Sequence, residues 1–195
     1  MIAMRLVLFF ILICCASVQP LRGTTLLRYD LVALTGHAER VFVGTCKSVD
    51  TELVHGLIYT RALFTVKETI KGDAVDQIVL HLPGGQYQGT RSHISGMPVF
   101  SPGEDLVLFL TEKDELGHAW PVGLAQGKFR IEQTGAVAKA RVFQALDGLT
   151  FYTPTTGAAK KTTESLSLNG LPLDEFLSMV RALVPPPRGE PYDAR

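Results

Sequence analysis

The chain has 195 residues, of which 46% are hydrophobic and 19% are charged, and this balance is typical of a globular protein with one buried core. Its 19 basic residues equal its 19 acidic residues, so there is no net positive field to attract phosphates. No run of lysine and arginine interleaved with aromatic residues occurs either. Nucleic acid is therefore excluded as an expected partner.

The first twenty residues, MIAMRLVLFFILICCASVQP, have the pattern of a secretory signal peptide. One basic residue, Arg5, precedes an apolar run from Leu6 to Ile13, and small residues follow that run. The run is shorter than the ~20 residues that span a bilayer, which favours cleavage over the alternative of a retained anchor. Cys14 does not follow a small residue, and this disfavours lipoprotein processing. We expect residues 1–19 to be removed and the protein to be exported, periplasmic or extracellular.

Loss of the signal peptide leaves a single cysteine, Cys46, so the mature chain is expected to form no internal disulfide. Exported domains are commonly cross-linked, and this one must instead depend on its core. Cys46 lies in the alternating stretch VFVGTCKSV, which favours an inert buried thiol over a reactive one.

The first predicted element after the signal peptide is a short helix over residues 30–38. Leu31, Leu34 and Ala38 recur at helical spacing, and Asp30 stands where an N-cap is needed.

Five strands follow, each bounded by turn residues. Apolar and polar residues alternate in RVFVGTCKSVDTEL and LIYTRALFTVKETIKG, which are joined across His55 and Gly56. The shorter runs QIVLHL, DLVLFL and GKFRIEQ are predicted as the third, fourth and fifth strands, and LTFYT is a candidate for a further one. Strands in such close succession favour a small antiparallel barrel, closed or nearly closed, over any βαβ arrangement.

A second helix is predicted in LPLDEFLSMVRALVPPP. Three prolines end the helix, and we expect it to dock on the barrel through one apolar stripe. The stripe consists of Leu173, Phe176, Leu177, Val180, Leu183 and Val184. Residues 185–195 have too little apolar surface to fold and are predicted to be a flexible tail. Residues 20–184 are thus expected to form one domain.

Four stretches carry a resemblance to known proteins: DLVALTGHAERVFVG, FTVKETIKG, SPGEDLVLFL and GLAQGKF. Together they resemble a group of exported, uncharacterised bacterial domains, which in turn look like the OB barrel of tissue inhibitors of metalloproteinases and netrin-like modules. The resemblance covers about residues 30–132 and implies an OB-like barrel that binds another exported protein. In those inhibitors an N-terminal cysteine fixed by disulfides chelates the protease zinc. The mature start here, near Val18, offers no cysteine, so that route is not carried over.

The sequence contains no recognised catalytic or metal-binding motif. Neither a GxSxG elbow nor the ending of a P-loop is present, and the acids of TEKDELG are expected to be a solvated hairpin tip. The histidines lack tight metal-ligand spacing, although the last three could meet at one end of the barrel. These histidines are His37, His55, His81, His93 and His118. We expect no catalytic residue, metal or cofactor.

The stretch HLPGGQYQGTRSHISGMP lies between two predicted strands and is the strongest candidate for a site. From Pro83 to Pro102 the connection has about twenty residues, against the ~4 to 6 that are usual, and loops of that length are generally functional or disordered. An ordered loop is expected, because six of its side chains could pack it down while Gln86 and Arg91 face outward. These six are Tyr87, His93, Ile94, Met97, Val99 and Phe100. The alternatives are a loop that closes one end of the barrel and a loop that binds a partner. The candidate partner-binding residues are Gln86, Tyr87, Arg91 and His93.

The leading functional hypothesis is a non-catalytic module that binds another exported protein, possibly a protease. Two other classes stay open: a metal-dependent or hydrolytic enzyme that uses the histidine-bearing end of the barrel, and a purely structural component of the cell envelope.

Overall fold

The computed structural model describes residues 25–133, 139–147, 149–152 and 168–185. The predicted signal peptide at residues 1–19 and the predicted tail beyond residue 185 lie outside these ranges.

One large antiparallel sheet dominates the described residues, and two helices accompany it. In chain order the elements are β1 (Thr25–Leu27), α1 (Leu31–His37), β2 (Arg40–Val54), β3 (Leu57–Lys71), β4 (Gln77–Pro83), β5 (Gly85–Tyr87), β6 (Thr90–Ser92), β7 (Asp105–Leu110), a 3₁₀ turn (Leu124–Gly127), β8 (Lys128–Glu132), β9 (Arg141–Phe143), β10 (Thr150–Tyr152), β11 (Leu171–Pro172) and α2 (Leu173–Leu183). The prediction of a mainly β protein with two helices is confirmed.

The large sheet has seven strands in the order β11-β9-β8-β7-β2-β3-β4, and every neighbouring pair is antiparallel. Strands β5 and β6 form a separate antiparallel pair, and β1 pairs in parallel with β10. The sheet is open, because its end strands β4 and β11 do not pair with each other in the described residues. The predicted barrel of about five strands is therefore not confirmed. All five predicted strands exist, and short strands that the alternation did not indicate extend the sheet.

The centre of the sheet is buried on both faces, since successive side chains of a strand point to opposite sides. On β2, Val41 and Val43 face one way and Phe42 faces the other. The first face packs against the two helices and is called here the helix-side core. The second face is covered by side chains from the long connections, Phe100 and Trp120 among them, and is called the loop-side core.

Irregularities in the β2–β3 pair bend the sheet. The pairing shifts register at three places, and one of them lies between Val43 and Gly44. A Cβ added to Gly44 would meet the Thr65 carbonyl oxygen at 2.6 Å, so only glycine fits at this position. Because β-bulges bend the strand that carries them and increase its twist, these shifts let two 15-residue strands coil around the loop-side core.

The two helices cover the face of the sheet that forms the helix-side core. Asp30 caps α1 as predicted, and its carboxylate accepts a hydrogen bond of 2.7 Å from the backbone N–H of Ala33. From α2, Phe176 is fully buried and its ring centroid lies 4.6 Å from that of Phe129 on β8. The predicted docking of the second helix is thus confirmed.

We expect Phe176→Ala to lower the free energy of unfolding by about 3 to 5 kcal/mol, because it leaves a ring-sized cavity in the helix-side core. Ser178→Ala is the matched control, since Ser178 lies on the exposed side of the same helix and its replacement should change stability by less than about 0.5 kcal/mol. Urea denaturation of both variants measures the difference. Equal midpoints would mean that α2 does not contribute to the core.

Candidate functional site

The long connection between β4 and β7 contains a tight β-hairpin in its first half. Strands β5 and β6 pair directly, with Gln86 opposite Arg91 and Tyr87 opposite Thr90. The turn between them is made by Gln88 and Gly89, which have φ angles of 46° and 83°. Two successive positive φ values are characteristic of the hairpin turn whose twist matches the flanking strands.

The hairpin lies against the β2–β3 pair and is fixed there by two threonine hydroxyls. Thr60 donates a hydrogen bond of 2.7 Å to the Gly84 carbonyl, and Thr51 donates one of 2.7 Å to the Gln86 carbonyl. Gly85 makes the contact possible, because a Cβ at this position would lie 2.5 Å from the Thr60 hydroxyl oxygen. Its φ of 132° also belongs to a region that favours glycine.

The second half of the connection enters the loop-side core. Phe100 is buried and packs edge-on against Phe64, with ring centroids 5.0 Å apart. Beside it, the Lys128 ammonium group lies 4.8 Å from the Phe100 ring centroid and forms a 2.7 Å ion pair with Glu104. The Lys128 and Glu104 side chains are only 14% and 11% exposed, so this pair is well shielded from solvent. It ties the end of the connection to β8.

A cleft of about 360 Å³ opens between the hairpin, the following loop and the sheet. Its apolar part includes Val49 of β2, Leu82 of β4 and the side chains of Met97 and Phe100. Gln86, Arg91 and His93 line it as well, and all three side chains are exposed. Three of the four predicted site residues therefore meet at one cleft.

Tyr87 does not line this cleft. Side chains alternate along the hairpin, so the Gln86–Arg91 pair lies on one face and the Tyr87–Thr90 pair lies on the other. Tyr87 therefore lies on the opposite face of the hairpin from Arg91, and its assignment to the partner-binding residues stays a prediction.

Among the described residues, the one lysine or arginine that lines the cleft is Arg91. Arg91 and His93 line it, and none of its lining residues in the described part of the chain is an aspartate or glutamate. Arg91 forms no ion pair with any described residue, whereas Arg130 and Arg181 each pair with a glutamate. The cleft thus combines an apolar interior with an unneutralised cation at its edge.

Thr51 and Thr60 are part of the site, although the sequence pattern predicts them only as strand residues. The sequence does contain one indication for Thr60. In the alternating pattern of β3, Thr60 shares a face with Ile58, Ala62 and Phe64. A hydroxyl on a buried face needs a hydrogen-bond partner, and Gly84 supplies it here.

The sequence leaves open a meeting of His81, His93 and His118 at one end of the predicted barrel, and two of these three are in contact. The rings of His81 and His118 stack with centroids 5.6 Å apart, and Glu52 Oε1 lies 3.9 Å from His81 Nδ1. His93 lies at the cleft instead. Among the described residues, no three His, Cys, Asp or Glu side chains are placed to share a metal ion.

The loop that carries His118 is organised by Asp114. This exposed carboxylate accepts hydrogen bonds from the backbone N–H of His118 and from the Trp120 indole, and these bonds lower the pKa of Asp114 below its ordinary value. The acids at this hairpin tip are solvent-exposed, as predicted.

Cys46 is fully buried in the loop-side core, as predicted. Burial raises the pKa of its thiol, and the nearby Glu104 carboxylate raises it further. A protonated, inaccessible thiol is a poor nucleophile, so Cys46 acts here as a small apolar side chain.

Comparison with protein-family models, with curated proteins and with solved structures found no match for this chain. In the described residues, neither helix is long and apolar enough to cross a membrane.

We expect Gly85→Ala to lower the free energy of unfolding by about 1 to 3 kcal/mol, because the new methyl group meets Thr60 and the backbone is held at a positive φ. Gly89→Ala has a positive φ but open space around it, so it isolates the backbone contribution and should cost less. Chemical denaturation of both variants gives the comparison. Equal losses would show that the close contact between β5 and β3 does not matter.

For the ion pair, Lys128→Met should cost about 3 to 5 kcal/mol, because Glu104 then keeps a shielded charge without a cation. Adding Glu104→Gln should recover part of that loss, so a double-mutant cycle is expected to give a coupling energy above about 1 kcal/mol. The half-exposed Arg181–Glu68 pair is the control, with an expected coupling below about 1 kcal/mol. Similar coupling energies for the two pairs would contradict this interpretation.

Proposed function

We propose that the protein is an exported, non-catalytic binding module that recognises another exported protein at the cleft beside β5 and β6. One observation carries the proposal. Gln86, Arg91 and His93 line a cleft with an apolar interior. Two hydrogen bonds fix the start of the hairpin that bears Gln86 and Arg91 to the sheet, and a shielded ion pair fixes the end of the same connection. Recognition residues are commonly placed on such connections, where a rigid scaffold positions them.

Within this proposal, the large sheet is a partly open, OB-like barrel that resembles the barrel of netrin-like modules. Support comes from the coiling of β2 and β3 and from the loop-side core, which joins side chains of β4 to those of β7. Phe100 and Trp120 belong to this core as well. The signal-peptide pattern supports export, and a protease is one candidate for the partner.

The alternative of a metal-dependent enzyme has less support. The stacked rings of His81 and His118 would need a third ligand, and the described residues offer no such group. A purely structural role in the cell envelope does not require an unneutralised arginine beside an apolar cleft, so this alternative also has less support.

A variant with Gln86→Ala, Arg91→Ala and His93→Ala should melt within about 1 to 2 °C of the parent, because exposed substitutions usually cost less than about 0.5 kcal/mol. Its partner binding should be lost. A photo-crosslinking amino acid at position 99, used in the producing cells, should give one discrete adduct when the rest of the sequence is unchanged, because Val99 lines the cleft and is 73% exposed. The adduct should disappear when Arg91 and His93 are changed to alanine.

Position 32 is the control for crosslinking, since Val32 is 62% exposed and lies on α1, away from the cleft. The same adduct from positions 32 and 99 would contradict recognition at the cleft. Early melting of the triple variant would instead assign these side chains to the stability of the domain.

A further inference from the structure

We infer that the cleft binds the C-terminal residue of a polypeptide, with an apolar terminal side chain in its interior and the terminal carboxylate on Arg91. The inference rests on the proposed function and specifies the chemistry of the partner. Four features of the cleft support the inference: its polarity, its unpaired cation, its hydrogen-bond donors and its volume.

The interior of the cleft suits an apolar side chain. Val49, Leu82, Met97 and Phe100 contribute to its lining, and the last three come from β4 and the connection that follows it. Leu82 and Phe100 are themselves almost fully buried, so they form a floor that is held by the core. Val49 and Met97 are partly exposed and supply the apolar surface that a ligand can cover. A ligand without an apolar group would leave this surface exposed to water.

The polar groups at the edge favour an anion. The hydroxyls of Thr51 and Thr60 already donate to backbone carbonyls of the hairpin, so they are occupied. Arg91 keeps its guanidinium free of any carboxylate among the described residues, and a guanidinium can bind a carboxylate through two parallel hydrogen bonds. The Gln86 side chain, directly opposite Arg91 in the hairpin, adds an amide donor on the same face.

The volume of the cleft favours the end of a polypeptide over a continuous segment as its occupant. About 360 Å³ is near the lower limit of the ~300 to 1,000 Å³ that ligand sites usually occupy. A terminal residue carries its carboxylate and its side chain on the same Cα, which matches a single cation bordering a small apolar interior. An internal acidic residue would place the carboxylate and the apolar group on different residues, and the chain would have to continue past the cleft on both sides.

Synthetic peptide mixtures test this directly. The probes are N-acetylated pentapeptides with four randomised positions and a final leucine, made with a free C-terminal carboxylate or as the amide. Affinity selection with the purified protein, read out by mass spectrometry, should enrich the free acids at least about 10-fold over the amides. A free-acid mixture that ends in serine should be enriched less, because serine does not fill the apolar interior.

Arg91→Gln should abolish the preference for the free acid. Lys113→Gln is the matched control, since Lys113 is an exposed cation on the loop after β7 and does not line the cleft. Lys113→Gln removes one positive charge, as Arg91→Gln does, and should leave the preference for the free acid unchanged. A further mixture of amidated peptides, with aspartate beside leucine, measures binding of an internal carboxylate.

Equal enrichment of acids and amides would overturn the inference, as would a preference that survives Arg91→Gln or stronger enrichment of the internal aspartate mixture. Failure of every mixture to bind would overturn it too. Crosslinking from position 99 reports on the proposed function independently. A specific adduct without peptide binding would therefore reject the terminal carboxylate and retain the binding module.

Discussion

The packing of Phe100 against Phe64 is the contact on which the arrangement of the site depends. Strands β4 and β7 both contribute to the loop-side core without pairing with each other, so side chains must fill the space between them. Phe100 fills part of it from the connection that joins these two strands. The connection must therefore run inward over the sheet, and the cleft forms where its first half, the β5–β6 hairpin, is held away from its second half.

Electrostatic contacts fix the end of the same connection. The Lys128–Glu104 pair holds the residues just before β7, and the first residue of β7, Asp105, accepts hydrogen bonds from Thr45 and Lys67. Burial alone would raise the pKa of Asp105, but these two hydrogen bonds outweigh it and the pKa is lowered. Two carboxylates at the start of β7 are thus neutralised locally. By contrast, the cleft that Arg91 lines has no carboxylate among its described residues.

Much of the fold follows from local pattern, and the site follows from it only in part. Period-two alternation located β2 and β3, and an N-cap with helical spacing located α1, because those signals extend over many residues. Strands of three residues, such as β5 and β6, are too short for alternation to reveal them. The side of the hairpin on which Tyr87 lies could not be predicted without that pairing. Closure of the sheet depends on which distant strands meet, and no local pattern encodes that.

The position of Phe176 has a consequence for how the domain forms during synthesis. The ring completes a core that begins with Leu34 on α1, so the two contributions are separated by most of the chain. A ribosome releases the N-terminal part first, and the apolar face formed by β2, β7 and β8 stays uncovered until α2 has emerged. Folding that needs such distant contacts is slow, and exposed apolar sheet surface is prone to aggregation. Until α2 packs on the sheet, the chain therefore exposes an apolar surface that favours aggregation.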